Sequence, residues 1–82
     1  MKTVRYTAEA LKDLKRHGNM AERIGKALAG VASESGAHAN NVTQLVGSPL
    51  YRLRVGDFRV IFSATESEIM VVKVAPRGSA YD

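Results

Sequence analysis

The sequence contains no cysteine, and no long apolar run occurs among its 82 residues. Without cysteine the chain forms neither disulfides nor thiolate metal sites, so nothing in it indicates an oxidising compartment. No stretch approaches the roughly 20 apolar residues that a helix needs to span a bilayer, and residues 1–6 lack the apolar segment of a signal peptide. These absences predict a cytoplasmic protein with no membrane partner.

The motifs of several enzyme classes are absent as well. The sequence has no P-loop, no dinucleotide-binding glycine pattern, no paired-histidine metal motif and no nucleophile elbow. Chemistry that depends on a metal or a nucleotide cofactor is therefore not expected, and the sequence predicts no cofactor and no metal ligand.

The composition is that of one small globular domain covering residues 1–82, with 45% hydrophobic and 24% charged residues. At this length a single core is only just adequate, so two layers of secondary structure are the practical limit. Twelve Lys and Arg stand against eight Asp and Glu, which gives a net charge of +4. This surplus favours a nucleic acid or an acidic protein as partner, although an ordinary soluble surface explains it equally well.

The most informative segment reads Tyr-Arg-Leu-Arg-Val-Gly-Asp-Phe-Arg-Val-Ile-Phe at residues 51–62. Because side chains alternate between the two faces of a strand, it predicts two strands with one apolar face and one arginine-bearing face. The Gly-Asp dipeptide at 56–57 predicts a two-residue type II′ turn between them. With that turn, Arg54 lies directly opposite Arg59, and Arg52 lies one step along the same face.

The opposed arginines indicate a ligand outside the fold, because like charges directly opposite each other destabilise a sheet. Guanidinium groups bind phosphate bidentately and stay charged, so a polyanion is the natural candidate. The alternative is that the arginines only protect an exposed sheet face from aggregation. We expect the arginine face to be a concave or open polar surface and the helices to cover the other face, which carries Leu53, Val55, Phe58, Val60 and Phe62.

The first part of the chain predicts a strand and a helix. Residues 2–6 form the strand, and Thr7 supplies a hydroxyl to cap a helix that begins at Ala8. The apolar stripe of this helix is expected at Ala8, Leu11 and Leu14. Its solvent side is expected to carry Glu9, Lys12, Asp13 and Arg16.

A second helix follows Gly18, which is expected to end the first one as a C′ glycine. Asn19 and Glu22 have the spacing of a capping box at its start. Because the connection is short, the two helices should form an antiparallel hairpin. The buried face of the second helix is expected at Met20, Ile24, Leu28 and Val31.

The rest of the chain predicts a loop and a third meander strand. Residues 35–49 form the loop, in which 42–46 are a small extended piece that buries Leu45. The strand covers 69–75 and is apolar on both faces apart from Lys73, which indicates a central or well-covered position. The predicted fold is α+β: an N-terminal strand, a helical hairpin and a three-stranded antiparallel meander form one sheet that the helices cover.

Three further side chains complete the candidate site: Lys73, and Arg77 and Tyr81 in the C-terminal tail. A tyrosine stacks on a base or hydrogen-bonds to a phosphate. As alternatives, Lys73 extends to solvent from a covered strand, Arg77 caps the strand end and Tyr81 closes the core. Of the histidines, His17 suits a structural role at a helix end, and His38 lies in the polar loop.

The order of elements, the segment 51–62 and a tail with Arg77 and Tyr81 closely resemble the RelE/ParE superfamily of bacterial toxins. The resemblance extends over nearly the whole chain. It implies a RelE-like fold and a toxin of a type II toxin–antitoxin system, neutralised by a cognate antitoxin that is expected to carry an acidic segment. In the RelE branch the toxin cleaves mRNA at the ribosome, and in the ParE branch it poisons DNA gyrase.

The resemblance also implies roles for individual residues. Arg52 and Arg54 match two basic positions that are lysines in the best-known RelE branch, and Arg59 matches the arginine that binds the scissile phosphate. Arg77 falls in the tail that carries a further catalytic arginine, and Tyr81 matches the tyrosine that stacks on or orients the nucleotide. The predicted catalytic residues are thus Arg54, Arg59, Arg77 and Tyr81, and the predicted phosphate-binding residues are Arg52, Arg54, Arg59 and Lys73.

The implied reaction is metal-independent: the RNA 2′-OH attacks the adjacent phosphate and the 5′-oxygen leaves. Arg59 and Arg77 would stabilise the charge of the phosphorane. Because a guanidinium is very hard to deprotonate, Arg52 and Arg54 leave the general base open, with Asp57 and His38 as candidates. A ribosome-dependent mRNA endonuclease is the first hypothesis. A DNA gyrase inhibitor without nuclease activity and a plain nucleic-acid-binding module are the alternatives.

Overall fold

The computed structural model describes residues 2–33 and 42–76. Within these ranges, five strands form one mixed sheet, and two helices pack on one face of that sheet. Among the described residues, neither helix has the length and apolar character needed to cross a membrane. In chain order the elements are β1 (Thr3–Tyr6), α1 (Ala8–Arg16), α2 (Gly18–Ala32), β2 (Val42–Gln44), β3 (Tyr51–Val55), β4 (Phe58–Ala64) and β5 (Glu68–Pro76).

The strand order across the sheet is β1-β5-β4-β3-β2. Strands β2 to β5 pair antiparallel, whereas β1 pairs parallel with β5. Strand β5 therefore lies between two partners, which confirms the covered position predicted from its apolar sequence. The α+β fold with the meander of β3, β4 and β5 is confirmed as well.

The core lies between the helices and the predicted apolar face of the meander. Leu53, Val55, Val60 and Phe62 are buried there, and Phe58 packs against them at the margin. The rings of Tyr51 and Phe62 stack at 5.6 Å across β3 and β4. The helices and β5 fill the remainder with Ala10, Met20, Ile24, Ala27, Leu28, Ala32, Ile69, Val71 and Val74.

Helix α1 buries a different stripe from the predicted one. Its buried residues are Ala10 and Asp13, with Leu14 partly buried, whereas Leu11 is 47% exposed. Ala8 is exposed as well, so the prediction is wrong for Ala8 and Leu11 as core residues and for Asp13 as a solvent residue. The reason lies in β5: β1 ends beside Val71, so the outer edge of β5 beyond that point has no strand partner among the described residues, and α1 packs against it.

Asp13 supplies the acceptor that this free strand edge lacks. Its Oδ2 accepts a hydrogen bond from the backbone N–H of Val74 at 3.0 Å, and the residue is only 6% exposed. Buried backbone donors almost always find a partner, and here the partner is a side chain 61 positions away. The buried face of α1 is therefore determined by this hydrogen bond as well as by the packing of Ala10 and Leu14.

Helix α2 begins earlier than predicted. Gly18 is its first residue rather than the terminator of α1, and His17 occupies the N-cap without a side-chain capping bond. The capping box of Asn19 and Glu22 is therefore wrong. The predicted buried face holds for Met20, Ile24 and Leu28, and Val31 is partly buried against them.

The small extended piece of the loop is a short edge strand. Strand β2 covers Val42–Gln44 and pairs with β3, with Val42 opposite Leu53. Val42 packs against the core, whereas Leu45 is only half-buried and Val46 is fully exposed. The strand is therefore two residues shorter than predicted.

The predicted cap of α1 is confirmed and has a measurable weight. Thr7 Oγ1 accepts a hydrogen bond from the Ala10 N–H at 3.1 Å, and its hydroxyl donates to the carbonyl of Val72 at 3.4 Å. Thr7→Ala should cost about 1 kcal/mol, which lowers the Tm by about 4–8 °C in a domain of this size. Thr7→Ser keeps the hydroxyl and should lose less. Equal melting temperatures for Thr7→Ala and the wild type would contradict this role of the cap.

Candidate nucleic-acid interface

The hairpin of β3 and β4 has the predicted register. Val55 pairs with Phe58 around the two-residue turn, so Arg54 lies directly opposite Arg59. Gly56 has a φ of +58°, as the first central residue of a primed hairpin turn requires. Glycine adopts this conformation without steric cost, and the turn thereby fixes the arginine pair.

The arginines belong to two adjacent cross-strand rows on the sheet face away from the core. One row runs Arg52, Ile61, Lys73 over β3, β4 and β5, and the next runs Arg54, Arg59, Ala75. Directly opposed residues have Cβ atoms about 5 Å apart, and neighbouring rows lie about 7 Å apart. We call the surface formed by Arg52, Arg54, Arg59 and Lys73 the cationic face.

Lys73 joins this face because β5 contains a bulge. Phe62 pairs with Val71 and Ile61 pairs with Lys73, so Val72 is an extra residue with no partner on β4. The bulge reverses the alternation beyond it. In a regular strand Lys73 would point to the core; with the bulge, Val74 occupies the core and Lys73 lies beside Ile61.

The face is more apolar than predicted, because its floor contains two buried residues. Ile61 is completely buried and Ala75 is 5% exposed, although both share rows with the basic residues. The expectation of an open polar surface is thus wrong in part. Arg52 and Lys73 flank Ile61 in the same row, and the methylene stems of such side chains cover apolar surface while their charged ends stay in water.

The basic residues of the face differ in exposure and in partners. Arg54 is exposed, and Arg52 and Arg59 are half-buried. Within the described ranges no carboxylate pairs with Arg52 or Arg54. Lys73 Nζ lies 3.8 Å from Glu9 Oε1 on α1, and an ion pair this exposed contributes little. The charges of Arg52 and Arg54 are therefore not compensated by a carboxylate in the part of the chain that the structure describes.

A depression of about 290 Å³ lies at the tip of the hairpin. It is lined by Arg54, Gly56, Asp57, Phe58 and Arg59. The Asp57 carboxylate has no hydrogen bond or ion pair to the described part of the chain. Two guanidinium groups and one carboxylate thus border the same depression, which suits an anion that must also exchange a proton.

Two helix residues reach the hairpin tip, and the sequence pattern did not indicate either contact. The His17 ring packs edge-on against Phe58, with ring centroids 4.8 Å apart. The Arg23 guanidinium on α2 lies against Gly56, so that a Cβ there would stand 3.1 Å from one of its terminal nitrogens. Gly56 is the one feature of the sequence that could have indicated the Arg23 contact, because a residue without a side chain lets another group approach its backbone closely as well as permitting a turn.

Several predicted site residues lie outside the described ranges. Arg77, Tyr81 and His38 belong to the segments 77–82 and 34–41, so their roles stay predictions. The described residues contain no group of three or more His, Cys, Asp or Glu that could hold a metal ion.

Comparison with known proteins gives a consistent family. Residues 4–81 match the family model of the ParE toxin of type II toxin–antitoxin systems. No curated protein matches the sequence significantly. Among solved structures, the archaeal RelE–RelB complex from Pyrococcus horikoshii contains a similar chain, with 28% identity, a TM-score of 0.76 and coverage of 96% of this chain and 98% of the other.

Two more distant structures share the fold. The DinJ–YafQ toxin–antitoxin complex of E. coli contains a chain with 12% identity, a TM-score of 0.77 and coverage of 99% of this chain and 98% of that one. The RelBE2 toxin–antitoxin complex of Mycobacterium tuberculosis contains one with 21% identity, a TM-score of 0.64 and coverage of 93% and 98%. The match extends over nearly the full length of each chain.

Proposed function

Since this chain belongs to the ParE toxin family of type II toxin–antitoxin systems, within the RelE/ParE superfamily, we propose that it is a toxin that stops translation by cleaving mRNA at the ribosome. The observation that carries the proposal is the Arg54–Arg59 pair, directly opposed on an exposed sheet face at the mouth of the hairpin depression. The pair places two bidentate donor groups on neighbouring strands, and a phosphate that binds between them is held by both.

The proposed reaction is an attack of the ribose 2′-oxygen on the adjacent phosphorus. The P–O5′ bond breaks, the 5′-oxygen takes a proton from water, and the products are a 2′,3′-cyclic phosphate and a 5′-hydroxyl. Arg59, with Arg54 beside it and Arg77 in the tail, stabilises the extra negative charge of the phosphorane. Arg52 and Lys73 bind neighbouring phosphates, and Tyr81 stacks on the base or orients it.

Proton transfer falls to a carboxylate in this proposal, because the arginines are too basic to accept a proton at neutral pH. Asp57 borders the depression together with Arg54 and Arg59, and its carboxylate makes no hydrogen bond or ion pair with the described residues. A carboxylate oxygen in this position accepts a proton as a general base does. Asp57 is therefore the first candidate for taking the 2′-OH proton.

The proposal includes a cognate antitoxin with an acidic segment. The complexes from Pyrococcus horikoshii, E. coli and Mycobacterium tuberculosis each contain a toxin and its antitoxin. The cationic face and the net charge of +4 favour association with an acidic chain. An antitoxin segment that covers Arg54 and Arg59 would exclude RNA from the same surface.

The test uses a translating extract with defined mRNA and purified toxin. We expect cleavage products with 5′-hydroxyl ends when ribosomes translate the message, no products without ribosomes, and protection when the antitoxin from the adjacent reading frame is added. Intact mRNA together with an accumulation of cleaved DNA–gyrase complexes in expressing cells would contradict the proposal. That outcome would identify a gyrase inhibitor instead.

A further inference from the structure

Arg23 is the one basic side chain of α2 that lies against the hairpin tip in the described structure. Its two terminal nitrogens and its Cζ atom lie 3.1, 3.4 and 3.5 Å from the point where a Cβ of Gly56 would stand. Both terminal nitrogens lie nearer to this point than Cζ does, so the end of the guanidinium group is directed towards Gly56. Glycine at 56 therefore serves both the turn and this contact.

The contact holds a charge at the edge of the depression without neutralising it. Arg23 is exposed, and no carboxylate in residues 2–33 or 42–76 pairs with it. By contrast, Lys26 one turn along the same helix pairs with Glu22 at 3.2 Å. The Arg23 side chain thus lies beside the hairpin tip with no acidic partner among the described residues.

Gly56 connects Arg23 to the site already described. It lines the depression together with Arg54 and Arg59, so the guanidinium that covers it extends the positive surface from the sheet face around the hairpin tip to α2. We infer that Arg23 is a further phosphate-binding residue of the interface. It contacts the backbone of the RNA strand one or more nucleotides away from the phosphate held by Arg54 and Arg59.

This inference rests on the proposed function for its ligand, a single-stranded RNA. Arg23 is exposed, and a guanidinium carries five N–H donors that bind phosphate oxygens and stay charged. The contribution is electrostatic and independent of sequence, so it strengthens binding without choosing the codon. Arg23 is a binding residue here and takes no part in the bond-breaking step.

The experiment measures the affinity of the purified toxin for a labelled single-stranded RNA as a function of salt, over roughly 50 to 200 mM. Each phosphate contact on a single strand contributes about 0.7 to the slope of log K against log salt. We expect Arg23→Ala to weaken RNA binding and to reduce the magnitude of this negative slope by about 0.7. Arg23→Lys keeps the charge and should retain the wild-type slope. Lys12→Ala, on the exposed side of α1, removes one charge elsewhere and serves as the control; it should change neither the affinity nor the slope.

The readings separate this inference from the proposed function. If Arg23→Ala leaves the salt dependence unchanged while Arg59→Ala reduces it, the inference about Arg23 is wrong and the proposed function stands. Arg23 would then only support the hairpin or bind the acidic antitoxin. A weaker affinity with the wild-type slope would likewise assign Arg23 a purely structural role. If neither Arg23→Ala nor Arg59→Ala alters the slope, the cationic face does not bind RNA and both proposals fail.

Discussion

Arg59→Ala is expected to reduce mRNA cleavage in a translating extract by about 10²- to 10³-fold, which is the usual effect of removing one preorganised donor to a developing oxyanion. Arg59 pairs with Arg54 across the hairpin, is half-buried and borders the depression. A guanidinium held in this way needs little reorganisation when the phosphorane forms. The measurement is the initial rate of cleavage at saturating ribosome concentration.

Two companion variants separate charge from shape at this position. Arg59→Lys keeps the positive charge but loses the bidentate donor pair, so its cleavage rate should lie between those of the wild type and Arg59→Ala. Arg54→Ala should also impair cleavage, but it relieves the repulsion between directly opposed charges. We therefore expect its free energy of unfolding to be equal to or above that of the wild type.

The combination of lost activity and retained stability is diagnostic. A residue that serves only to protect an open sheet face would show little loss of cleavage when replaced by alanine. Full activity of Arg59→Ala would therefore favour that alternative, with the Lys12→Ala variant as a control for the loss of one charge. A melting temperature well below the wild-type value would instead indicate that Arg59 supports the fold.

The hairpin could be predicted in detail because all its information is local. Strict alternation over 51–62 and the Gly-Asp turn fix which residues share a face and which residues are opposed. The structure confirms the Arg54–Arg59 pair and the buried apolar set. Family resemblance added roles to these positions, but the pattern alone predicted that Arg52, Arg54 and Arg59 share one face.

The bulge in β5 could not be predicted, because the strand is apolar on both faces. Val71, Val72 and Val74 have the same chemical character, so no alternation shows where an extra residue enters. The pairing of Ile61 with Lys73 depends on the register with β4. Lys73 thus lies on the cationic face for a reason that only the sheet pairing reveals.

The contacts made by the helices were also beyond the sequence pattern. Asp13 and Arg23 occupy positions that a helical wheel assigns to solvent, and each contacts a backbone site far along the chain: the Val74 N–H and Gly56. Asp13 can bond to the Val74 N–H because the pairing of β1 with β5 ends at Val71. Arg23 can approach the hairpin tip because Gly56 has no side chain. Neither contact produces a periodic pattern in the helix sequence.

Asp13 should therefore be a strong determinant of stability, although it lies on the polar side of an amphipathic pattern. Asp13→Ala leaves the buried Val74 N–H without an acceptor, and an unsatisfied buried donor costs about 1–3 kcal/mol. For a domain of this size each kcal/mol lowers the Tm by about 4–8 °C. Thermal unfolding followed by circular dichroism measures the loss.

The cause can be distinguished from a general loss of helix stability. Asp13→Asn retains a carbonyl oxygen that can accept a hydrogen bond from the Val74 N–H, so it should be less destabilised than Asp13→Ala. Glu9→Gln, on the same helix, removes only an ion pair with Lys73 and should cost at most about 1 kcal/mol. Hydrogen exchange at the Val74 amide should accelerate in Asp13→Ala beyond the change at neighbouring core amides. If Val74 exchanges no faster than those neighbours, the carboxylate does not hold this edge of the sheet, and the displaced stripe of α1 must have another cause.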